Sequence, residues 1–75
     1  MIKELENVVL KRDLPDLGLA SGDVGTVVMV HASGAGYDVE FVALDGETLA
    51  VTTLASDDVR PIISGEIAHA RRIAA

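Results

Sequence analysis

Hydrophobic and polar positions along this chain fall into short runs separated by glycine-rich or Asp-Gly turns, with no long amphipathic helix between them. The clearest alternation is Tyr37-Asp38-Val39-Glu40-Phe41-Val42. A period of two places Tyr37, Val39 and Phe41 on a buried face and Asp38 and Glu40 on a wet one. The β-branched run Thr26-Val27-Val28-Met29-Val30-His31 reads as a second strand, Thr48-Leu49-Ala50-Val51-Thr52-Thr53-Leu54 as a third, and Asn7-Val8-Val9-Leu10 as a shorter one ahead of Lys11-Arg12. Ser21-Gly22-Asp23-Val24-Gly25, Ser33-Gly34-Ala35-Gly36 and Leu44-Asp45-Gly46-Glu47 supply the turns. Asp-Gly between two β-like runs is a strong hairpin signal. Gly22 is expected in a turn conformation and Gly25 at a bulge or a close approach of strands.

Two connections have more content. Asp13-Leu14-Pro15-Asp16-Leu17-Gly18 must be a loop, because Pro15 has no backbone donor, and Leu14, Leu17 and Leu19 are expected to lie beneath it on the core. Ser56-Asp57-Asp58 has helix-capping chemistry, yet Pro61 forbids a long helix. One helical turn followed by a short closing strand is predicted over Ser56 to Ile62. Beyond it, Ser64 is expected to cap a short helix from Gly65 to about Ala74, with Ile67, Ala70 or Arg71, and Ile73 or Ala74 at helical spacing. The fold class is therefore mainly β, about five short antiparallel strands closed into a small barrel over residues 1–62, with a C-terminal helical segment over 63–75.

Seventy-five residues make one domain of marginal core size, and the absence of cysteine excludes disulfides and thiolate metal sites. With 49% hydrophobic but only 3% aromatic residues, the core must be aliphatic, and the same composition suits a buried subunit contact. A net charge of −6 repels phosphate backbones, which argues against nucleic acid as a partner. No apolar stretch is long enough to span a bilayer, and Met1-Ile2-Lys3-Glu4-Leu5-Glu6 is unlike a secretory signal, so a cytoplasmic protein is expected.

The run Leu19-Ala20-Ser21-Gly22-Asp23-Val24-Gly25-Thr26-Val27-Val28 is similar to the Gly-Asp-x-Gly-x-Val turn and strand of KOW-type and other SH3-like barrels. Taken with Asn7-Val8-Val9-Leu10, Asp13-Leu14-Pro15, Tyr37-Asp38-Val39-Glu40-Phe41 and Asp45-Gly46-Glu47-Thr48, the chain resembles the bacterial domain-of-unknown-function family 4926 over residues 2 to 61. The resemblance implies an SH3-like barrel and brings no catalytic residue with it.

The chemistry-bearing residues are sparse. His31 and His69 sit on different predicted elements, and a metal site would have to gather them with carboxylates such as Asp38 or Glu66. Ser21, Ser33, Ser56 and Ser64 all lie in turns or caps, without the elbow or paired base of a nucleophile. Neither glycine-rich turn opens a helix or carries a phosphate-loop lysine. No catalytic residue, cofactor or metal is expected. Lys11, Arg12 and Arg60 could converge at the barrel seam, with Arg71 and Arg72 on the helix, but Tyr37 and Phe41 point inward and leave no aromatic surface for bases to stack on. The expected function is a non-enzymatic protein-interaction module that binds a protein partner, itself, or both. An antitoxin, immunity-like or accessory-subunit role would suit it, and a KOW-type nucleic-acid-binding barrel is the alternative. Asp38 and Glu40 on the wet face and Ile63, Ile67 and Ile73 in the C-terminal segment are the expected partner-binding residues.

Overall fold

The computed structural model describes residues 1–73. Its five strands are β1 (Asn7–Leu10), β2 (Val24–His31), β3 (Gly36–Val42), β4 (Thr48–Ala55) and β5 (Val59–Pro61). They form one antiparallel sheet in the order β4-β3-β2-β1-β5. The two ends of that order, β4 and β5, do not pair with each other, so the ladder is not closed. The sheet nonetheless curls on itself. Leu54 of β4, Phe41 of β3 and Val59 of β5 share one buried cluster with Val8, Leu10, Val27 and Val39, which a flat sheet of that order could not bring together.

The alternation in β3 is as the sequence requires: Tyr37, Val39 and Phe41 are buried, while Asp38 and Glu40 lie on the opposite face. In β2 the pattern Val-Val-Met-Val does not say which residues point inward. An extra residue between Val27 and Met29 shifts the register, so Val27 and Val30 turn to the core and Met29 turns out, opposite Asp38. Gly22 takes a φ of +97°, the left-handed turn conformation that favours glycine. Gly25 is instead a site of close approach: a Cβ there would lie 2.5 Å from Val39 Cγ1 and 2.9 Å from Phe41 Cε1.

Short 3-10 turns occupy two connections. Pro15–Leu17 forms the first; Leu19 is buried beneath it and Leu14 packs at the core edge, but Leu17 is exposed rather than tucked in. Ser56–Asp58 forms the second and leads into β5. The capping there comes from Asp58, whose Oδ2 accepts the Ala55 N–H at 3.0 Å, and not from Ser56. Asp58 also ties this corner to β1, since its carbonyl accepts the Lys11 N–H at 2.7 Å and its carboxylate pairs with Arg12.

The expected C-terminal helix is absent. From Ile62 to Ile73 the chain has no regular secondary structure, and the end of the expected helix at Ala74 lies outside the described residues. Gly65 adopts a φ of +90°, inside a turn in which the Glu66 N–H donates to the Ile63 carbonyl at 3.1 Å. A helix this short and glycine-started gains little alone, and its polar side chains find partners elsewhere. Among the described residues no helix is long and apolar enough to cross a membrane.

Candidate functional site

The longest exposed element is the free edge of β4. Its eight residues, Thr48–Ala55, include no charge and no proline, the two devices that usually blunt an edge. The phase of the β3–β4 ladder follows from the Ser56 N–H, which donates to the Ala35 carbonyl at 3.1 Å. By antiparallel alternation, Leu54 and Thr52 turn their backbone groups toward β3, and Val51 and Thr53 turn theirs away from it. Ala55 is satisfied at its N–H by Asp58. A register shift between Phe41 and Val42 bends the start of β4, so the regular part of the open edge runs from about Val51 onward.

Beside this edge lies the outer face of β2, β3 and β4, in cross-strand rows Met29–Asp38–Thr53 and Thr26–Glu40–Val51. Val51 is 59% exposed and Met29 48% exposed. Asp38 Oδ1 accepts hydrogen bonds from Thr53 Oγ1 at 2.6 Å and lies 2.8 Å from His31 Nε2. The Thr53 hydroxyl, then the His31 ring, hold the Asp38 carboxyl below its ordinary range. Glu40 Oε2 accepts from Thr48 Oγ1 at 2.8 Å. Both carboxylates are thus anchored across strands and present fixed negative charge on a face that otherwise carries apolar, hydroxyl and, at His31, imidazole groups.

A third feature is a groove of about 1080 Å³ between the sheet and the C-terminal tail, lined on the sheet side by Val9, Leu19, Phe41, Val42 and Leu49 among others. Val9 is buried although it lies outside the central cluster. The tail spans this groove from two anchors. At one, Arg60 donates to both carboxylate oxygens of Glu66 at 2.9 and 2.7 Å, and the Ile63 N–H donates to Glu66 Oε1 at 2.6 Å. These bonds, Arg60 first, pull the Glu66 carboxyl down to about 2. At the other, Arg71 donates through Nε to Asp23 Oδ1 at 2.9 Å, through Nη2 to Asp23 Oδ2, and to the Gly18 carbonyl at 3.1 Å. Partial burial pushes the Asp23 carboxyl up, but Arg71 and the Ala20 N–H, which donates at 2.8 Å, together leave it lowered.

A family model described as Domain of unknown function (DUF4926) matches residues 4–61. The chain belongs to that family. No curated protein and no solved structure gives a significant match. The DUF4926 segment takes in all five strands and both corners of the curled sheet, while the tail from Ile62 lies beyond it.

The DUF4926 fold separates the five residues expected at the partner site. Asp38 and Glu40 are on the outer face; Ile63 and Ile67 are exposed on the tail, Ile67 at 92%; Ile73 is turned against the core. Of Lys11, Arg12 and Arg60, expected to converge, Arg12 is taken up by Asp58 and Arg60 by Glu66, and Arg71 of the C-terminal segment is taken up by Asp23. His31 does meet Asp38, but among the described residues no three metal-ligating side chains are grouped. Sequence reasoning missed Met29, Val51 and the Arg71–Asp23 anchor. The uncharged run Thr48–Ala55 was the available signal for Val51; nothing local marks a pair separated by 48 positions.

Proposed function

We propose that this DUF4926 chain is an SH3-like barrel acting as a non-enzymatic protein-interaction module, and that its β4 edge receives an extended strand of another chain. The observation that carries this reading is the regular, uncharged half of β4, where Val51 and Thr53 turn backbone donors and acceptors away from β3. Such an edge supplies affinity through main-chain hydrogen bonds, while side chains on alternate positions give selectivity. The exposed apolar Val51 on β4, with anchored Asp38 and Glu40 one strand further in, suits an incoming strand with an aliphatic residue against Val51 and a long cationic side chain reaching over β4 to the carboxylates.

The test compares the full-length protein with a Val51→Lys variant, each purified under native conditions at low salt and weighed by light scattering. Lysine at an exposed edge position leaves the β3 ladder intact but disfavours a further strand. A stoichiometric protein partner, or a second copy seen as a doubled mass, should accompany the wild type and be lost from Val51→Lys. A complex retained equally by both proteins would sink the β4 assignment, and so would a bare monomer from both.

A further inference from the structure

The C-terminal tail does not fill the groove it crosses. Its two anchors are made by charged groups and by Ile73, which packs against the core. Between them Ile67, Ala68, His69 and Ala70 all line the groove yet remain exposed, and about 1080 Å³ stays open. The groove has an apolar floor in Val9, Phe41, Val42 and Leu49, and carboxylates in Asp23, Asp45 and Glu47. Val9 and Phe41 at the bottom of that floor are buried, but the small tail residues, alanine at 68 and 70, leave Val42 and Leu49 at its rim partly exposed.

We propose that this groove is a binding site for an extended segment of a partner protein. The segment carries an arginine followed two residues later by a branched aliphatic residue, and the tail is its weak, displaceable occupant in cis. Arg71 and Ile73 show the required chemistry: a guanidinium that donates to Asp23 and to the Gly18 carbonyl, and an aliphatic side chain that reaches the core edge. A cationic segment is favoured further by the net charge of −6. A partner segment with larger apolar residues at the places of Ala68 and Ala70 would cover Val42 and Leu49, which the tail leaves partly exposed. Because a tethered competitor acts at high effective concentration, the tail lowers the apparent affinity of any rival and so sets a threshold for it. This inference rests on the interaction-module reading only in supposing that a partner exists; it concerns a different surface from the β4 edge.

Two fluorescent peptides serve as probes: one with the sequence of residues 64–73, and one in which Ala68 and Ala70 are replaced by leucine. Each is titrated by anisotropy into full-length wild type and full-length Arg71→Ala, whose amide exchange in β3 verifies that the fold is kept. Loss of the cis arginine should tighten both probes by about tenfold or more. The leucine probe should bind at least about tenfold tighter than the other, as expected for additional buried aliphatic surface, and a probe with alanine at position 71 should lose binding. Equal affinity for the two proteins, or undiminished binding of the probe lacking arginine, would overturn the proposal. A wild type whose mass is doubled by exchanged tails would overturn the cis assignment. Peptide binding reads the groove and partner capture by Val51→Lys reads the edge, so failure of either proposal is distinguishable from failure of the other.

Discussion

A methyl group at position 25 has no free space. It would lie 2.5 Å from Val39 Cγ1, 2.9 Å from Phe41 Cε1 and 3.1 Å from the Glu40 carbonyl, and two of these neighbours are among the most deeply buried side chains of the core. Relief would require Phe41 and Val39 to leave their positions together, so Gly25→Ala should cost about 1–3 kcal/mol as an overpacked core does. For a domain of this size that lowers the melting temperature by roughly 5–20 °C, measurable by circular dichroism; an unshifted melting curve would mean that β2 and β3 slide apart freely. By contrast, Gly22, at φ +97°, has nothing within 4 Å of an added Cβ, and is held by backbone conformation alone. The sequence offered two readings of Gly25, bulge or close approach, because its own neighbours in the chain are uninformative. The atoms that decide between them belong to a strand that begins eleven residues later. The same holds for Asp38. Its outward orientation follows from period two, but its bonds to Thr53 and His31 depend on the register of three strands.

Among the elements, the strands were legible and the tail was not. Strands announce themselves through β-branched residues and the turns between them, and β1 through β5 all lie where those signals place them. The segment after Pro61 has helical spacing of Ile67, Ala70 and Ile73, but spacing is a preference that tertiary bonds override in so short a stretch. Arg60 binds Glu66 across the Gly65 turn and Asp23 binds Arg71, and these bonds hold the segment on a course without regular secondary structure. These bonds also make the tail acid-labile. Glu66 titrates near 2 when paired against an ordinary value of 4.5, and Asp23 is likewise lowered from 3.8. A depressed carboxylate pKa means that the ionised form is the bound form, so the full contribution is present above the unpaired values and is lost as pH falls through the paired ones. The tail should stay ordered at about pH 6 and loosen between about pH 4 and pH 2, ahead of any change in β3. Heteronuclear NOE values for Ile67 and Ala70 amides that stay as high at about pH 2 as at about pH 6 would contradict the two-anchor description.

For the whole molecule, the disposition of charge matters more than its total. The arginines at 12, 60 and 71 are each matched by a carboxylate, so three cations add little outward field, and the surplus that makes the net charge −6 is carried by acids elsewhere on the surface. Asp38 and Glu40 stand out within that surplus because Thr53, His31 and Thr48 hold them in place on the outer face of the curled sheet, next to the open β4 edge. Charges fixed at the rim of an interface act chiefly on the encounter: they orient and accelerate the approach of an oppositely charged partner, and salt screens them. Charge reversal would remove this steering but would also break the cross-strand bonds, confusing electrostatics with damage to the sheet. The isosteric pair Asp38→Asn and Glu40→Gln keeps an oxygen acceptor for each threonine and removes only the charge. With a partner captured at β4, the double variant should associate severalfold more slowly at low ionic strength, with a nearly unchanged dissociation rate, and the difference should shrink as salt is raised. If dissociation accelerates instead, the two carboxylates are buried contacts within the complex. If neither rate changes, the partner approaches β4 from the side away from this face, and the acidic rows beside the edge serve to hold the strands together.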